Sequence, residues 1–68
     1  MKTRYRHIRF VQDGHHWFCL TNLDANLIGF CEFSEKRQCW LFVSSTRIAL
    51  TSHWCRDIAT FLDRLPKP

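Results

Sequence analysis

The chain has 68 residues, 46% of them hydrophobic, 15% aromatic and 24% charged, with two glycines, two prolines and four cysteines. That length allows one small domain and excludes enzymes built from separate cofactor and substrate domains, while the aromatic content supplies enough apolar surface for the chain to fold. Ten Lys/Arg against six Asp/Glu leave a formal charge of +4, and Lys2, Arg4, Arg6 and Arg9 gather in the first nine residues, where they can meet phosphates or an acidic protein surface.

Alternation predicts a first strand over Arg4–Gln12, with Ile8 and Phe10 on one face and His7, Arg9 and Val11 on the other. Asp13-Gly14 then reads as a two-residue hairpin turn, because such turns need positive φ. The return strand is His15–Thr21, which sets Phe10 opposite Trp17 and Ile8 opposite Cys19. Thr21–Asn26 is rich in turn residues and separates this hairpin from a second, Leu27–Phe33 with Cys39–Ser44. A three-residue loop at Glu35–Arg37 groups Ile28, Phe30, Trp40 and Phe42 on one face and Leu27, Cys31, Phe33, Cys39, Leu41 and Val43 on the other. A register one residue away regroups them, and both faces stay apolar either way.

Ile48 and Leu50 read as a short fifth strand or a packed connector. The period then changes: Trp54, Ile58, Phe61, Leu62 and Leu65 form one stripe of an amphipathic helix. Thr51 or Ser52 caps its start, and Pro66 ends it. The expected fold is therefore α+β: an antiparallel sheet of about four strands, made of two successive hairpins, with one C-terminal amphipathic helix packed on one face. One helix covers one sheet face. The other face is expected to expose several of Phe18, Leu20, Ile28, Phe30, Trp40 and Phe42, a patch that monomers seldom leave in water.

Four Cys and four His raise the question of zinc, with His15, His16, Cys19 and Cys55 the candidate ligands. There is no C-x2-C or H-x3-H knuckle, so the cysteines read as small buried hydrophobes and no metal or cofactor is expected. His53 and Cys55, two apart on a helix, point to different sides and form no nucleophile–base pair, so no enzymatic activity is expected. No apolar run is long enough for a signal peptide or a membrane span, which predicts a cytoplasmic protein with reduced thiols and no membrane contact.

Gly29-Phe30-Cys31-Glu32-Phe33 resembles the end of the RNP1 motif of RNA-recognition motifs, in which strand aromatics stack on bases. Asn26 and Leu27 replace the residues that open that motif, and the hairpin at Asp13-Gly14 replaces the helix of that fold, so the fold is not implied. Stacking of single-stranded nucleic acid on Phe30, Trp40 and Phe42 beside Arg4, Arg6 and Arg9 remains the alternative reading. Gln38–Phe42, Ile48–Thr51 and Arg56–Leu62 resemble the endings of short bacteriophage and prophage proteins. That resemblance implies a small accessory product in the host cytoplasm that binds a host or phage protein, defence proteins included, and modulates or inhibits it. The leading expectation is a non-enzymatic protein-binding module that forms a homodimer. Its binding residues are expected to be Arg4, Arg6, Arg9, Phe18, Phe30, Trp40 and Phe42.

Overall fold

The computed structural model of the chain describes residues 1–45 and 47–68. Four strands, β1 (Ile8–Asp13), β2 (His16–Thr21), β3 (Leu27–Ser34) and β4 (Cys39–Ser44), form an antiparallel sheet in the order β1-β2-β3-β4, followed by one helix, α1 (Ser52–Arg64). This is the expected α+β architecture of two hairpins and a C-terminal helix.

The chain departs from the expected course at four places. The first strand begins at Ile8, not Arg4, because the preceding residues turn back onto its outer edge. The Tyr5 amide donates to the Ile8 carbonyl at 2.8 Å and the Phe10 amide to the Thr3 carbonyl at 2.7 Å, with Arg4 paired to Arg9. The Tyr5 ring is thereby buried edge-on to Phe10, with ring centroids 5.9 Å apart. The first hairpin turns at Gly14-His15, with Gly14 at φ +61°. Phe10 consequently pairs with Cys19, not Trp17, and Ile8 with Thr21. A two-residue displacement leaves every side chain on its expected face.

The second hairpin differs by one residue, which is a change of face. Ser34 pairs with Cys39, so the loop is Glu35–Gln38. The Ser34 hydroxyl accepts from the Arg37 amide at 3.2 Å, Gln38 Nε2 donates to the Glu35 carbonyl at 2.7 Å, and Gln38 takes a left-handed φ of 56°. Trp40 then pairs with Phe33 and Phe42 with Cys31, on the helix side. A β-bulge adds a second parity change: Cys19 pairs with Gly29 and Leu20 with Leu27, which leaves Ile28 as the extra residue. Ile28 consequently joins Cys31 in the core, fully buried, while Leu27 and Phe30 point away from the helix.

Thr51 is the N-cap of α1, its hydroxyl accepting from the Trp54 amide at 3.1 Å. The helix ends at Leu65, whose φ/ψ of −70°/127° carries the chain into Pro66. Its apolar stripe lands on the sheet where expected. Phe61 is completely buried, stacked on Phe10 at 3.8 Å between centroids and met edge-on by Trp17 at 5.2 Å. Burial of that ring alone contributes about 2–3 kcal/mol. Ile48 and Leu50 pack against the core as a connector rather than as a strand. Cys19 and Cys31 are buried, whereas Cys39 and Cys55 are exposed, so only half of the expected set of buried cysteines is buried. No helix among the described residues is long and apolar enough to cross a membrane.

The two sheet edges are unlike. β1 has residues 3–5 against its outer side, whereas β4 pairs only with β3, and among the described residues nothing hydrogen-bonds to its outer backbone.

Candidate functional site

Pairing register orders the uncovered face into three rows that run across the strands. The middle row is Val11, Phe18, Phe30 and Val43, one residue from each strand and all apolar. On one side lie Arg4, Arg9, Leu20 and Leu27. On the other lie Asp13 and His16, then Glu32 and Leu41, the two pairs joined by a His16–Glu32 contact at 4.0 Å. Val11, Leu27 and Val43 remain 45%, 42% and 36% exposed, and Phe18 and Phe30 are half-buried only by one another and their neighbours. His16 meets the Phe30 ring edge-on, with centroids 5.8 Å apart.

The charges on this face are segregated. Arg4 and Arg9 are direct cross-strand partners, an arrangement in which like charges repel. Arg9 Nη1 donates to the Thr21 carbonyl at 3.0 Å, which pins its guanidinium to the sheet and leaves further N–H groups pointing outward. Among the described residues no Lys or Arg lies within 4.0 Å of a carboxylate, the one His–carboxylate contact being His16–Glu32, so neither arginine has a carboxylate of its own and Asp13 has no Lys or Arg partner.

Of the residues expected on the open face, Phe18, Leu20 and Phe30 are there, with Arg4 and Arg9 beside them. Trp40, Phe42 and Ile28 are not: the loop of four and the bulge turn them under the helix, where Trp40 and Phe42 pack on the core cluster. Arg6 also parts from the other arginines. It lines a small hollow of about 380 Å³ with His7, His53, Arg56 and Asp57, on the helix side. Leu41, Val43, Val11 and Leu27 complete the patch in their place. The signal that would have found the β4 pair is the length of the Glu35–Gln38 loop, which decides the parity of the strand that follows it.

A larger cleft of about 720 Å³ opens beside the C-terminal end of the helix, with Trp17, Phe33, Trp40, Glu35, Leu65 and Pro66 in its wall. Trp40 Nε1 donates to the Pro66 carbonyl at 3.0 Å and ties the tail across that end. His15 and His16 border the same cleft, while Cys19 is buried in the sheet and Cys55 is exposed on the helix. Among the described residues, no three His, Cys, Asp or Glu side chains come together as a metal-binding group. Burial pushes the Cys31 thiol up to about 12, and burial with the neighbouring Cys31 pushes Cys19 up to about 12. Both are protonated at neutral pH and shielded from any substrate.

No family model, curated protein or solved structure matches the chain.

Proposed function

We propose that the protein is a small binding module whose uncovered sheet face docks another protein, a host or phage protein on the resemblance of its C-terminal half. The observation that carries the reading is the unbroken apolar row Val11, Phe18, Phe30 and Val43, flanked by polar rims. Protein interfaces have that anatomy: an apolar, aromatic centre within a charged margin.

The test compares wild type with Phe30→Ser and Phe18→Ser as affinity baits in host lysate, each first checked for an unchanged circular dichroism spectrum and a cooperative melt. A specific protein held by wild type and lost by both folded variants is the expected result. Retention of the same protein by both variants overturns the reading, as does collapse of both folds, which would make the two rings core. A single-stranded oligonucleotide is titrated alongside. Binding that falls steeply with salt and disappears in Arg4→Ala/Arg9→Ala replaces the protein partner with nucleic acid.

A further inference from the structure

Resting on that reading of the open face, we infer that before the other protein docks the face is held by a second copy of this chain, packed sheet against sheet about a two-fold axis along the row Val11, Phe18, Phe30, Val43. The charge pattern selects the partner and the axis together. A two-fold along the middle row lays each of its members over its own counterpart, so Phe18 meets Phe18 and Phe30 meets Phe30 of the other copy, an isologous apolar centre. The same rotation exchanges the two rims. Arg9, whose row also holds Arg4, comes over Asp13 of the other copy, since Arg9 and Asp13 sit two residues either side of Val11 on one strand. Arg9 and Asp13 are thereby paired, twice per dimer, while Arg4 keeps no carboxylate of its own. A two-fold along the strands instead returns the Arg9 row onto itself and answers neither.

The spacing permits it. Packed sheets lie about 10 Å apart with strands rotated by about 30°, and that rotation displaces the β1 corner by only a few Å, within the sweep of an arginine side chain. The exposed Asp13, at the end of its strand, is free to meet it. The area sets the strength. Four strands at about 4.8 Å and about five residues at about 3.3 Å make a face on the order of 300 Å² in plan, well below the roughly 800 Å² per partner of a standard interface. The dimer is accordingly weak and concentration-dependent, with Arg9–Asp13 pairs on the rim selecting orientation.

Sedimentation equilibrium of wild type, Arg9→Asp, Asp13→Arg and the double swap, from micromolar to millimolar loading at low salt, tests this. Wild type is expected to shift from monomer to dimer across the series. Each single swap weakens the dimer by roughly tenfold or more, and the double swap restores it to within about threefold. Asp13→Arg alters an exposed hairpin residue and guards against misreading a folding defect of Arg9→Asp, whose native partner includes the Thr21 carbonyl. A wild type that stays monomeric at millimolar loading overturns the second copy, and a dimer indifferent to both single swaps overturns its packing about this axis. In the monomeric case, a bait partner still lost in Phe30→Ser leaves the docking face standing, whereas a bait partner held equally by that variant removes both.

Discussion

Gly29 leaves no room in the sheet for an added atom. A Cβ there would lie 2.3 Å from the Val43 carbonyl oxygen, 2.7 Å from Phe42 Cζ and 3.0 Å from Ser44 Cα, where carbon contacts settle at about 3.5 Å. Two of those atoms are β4 backbone, so no rotation of a side chain relieves the clash. β4 has to retreat at the point where the Ser45 amide reaches the Ile28 carbonyl at 2.7 Å. Overpacking costs about 1–3 kcal/mol, and a weakened hydrogen bond adds about 1 kcal/mol. Gly29→Ala therefore loses about 3 kcal/mol, more than half of a stability on the order of 5 kcal/mol. At about 4–8 °C per kcal/mol, Tm drops by about 12–24 °C. Gly14→Ala is the control, because Gly14 has φ +61° but nothing within 4 Å of its Cβ site. Its cost is left-handed backbone alone, about 1–2 kcal/mol. Thermal and urea melts of the three proteins decide the matter. A Gly29→Ala protein that melts no lower than Gly14→Ala refutes the packing argument.

The raised Cys19 and Cys31 thiols favour the fold in their protonated form, so that contribution is complete below pH about 9 and is lost as pH climbs towards about 12. Urea midpoints are expected to fall between pH 8 and pH 10.5 by more than those of Cys31→Ala, and parallel curves would exclude the thiols as the cause. Trp40→Phe removes the indole donor to the Pro66 carbonyl and is expected to cost about 1 kcal/mol, with faster hydrogen exchange confined to the end of the helix and the tail. Uniform loss of protection would instead mean a core defect. Thr51→Ala deletes the cap on the Trp54 amide and lowers stability by about 1 kcal/mol, whereas Thr51→Asp is expected to retain most of it in the same melts.

Much of the fold was legible from short-range signals. Alternation marked the strands, a glycine marked the first turn, a change of period marked the helix, and threonine and proline bracketed it. Faces were another matter. In β1 and β2, Ile8, Phe10, Trp17 and Cys19 could be assigned correctly even with the turn misplaced, because moving it by one residue shifts partners by two. In β3 and β4 no such protection exists. Both faces there are apolar, so hydrophobicity cannot report parity, and parity depends on one residue in the Glu35–Gln38 loop and one in the bulge at Ile28. Trp40 and Phe42 were misassigned for that reason, while Phe18 and Phe30, which are central and paired, were not. The return of residues 3–5 onto β1 left no trace in the sequence, since it is made by backbone hydrogen bonds and a buried tyrosine, without glycine or proline.

That return decides how the sheet can grow. β4 presents a run, Cys-Trp-Leu-Phe-Val-Ser, with no charge and no proline along its outer side, the kind of strand that recruits another. A fibril needs two such edges on every molecule, one to receive and one to offer. Here Thr3, Arg4 and Tyr5 lie against the far edge along Ile8–Phe10, so a strand arriving there has to displace two hydrogen bonds, whereas one arriving at β4 displaces none. The segment thus makes the two edges unequal, and unequal edges oppose the head-to-tail growth that a fibril requires.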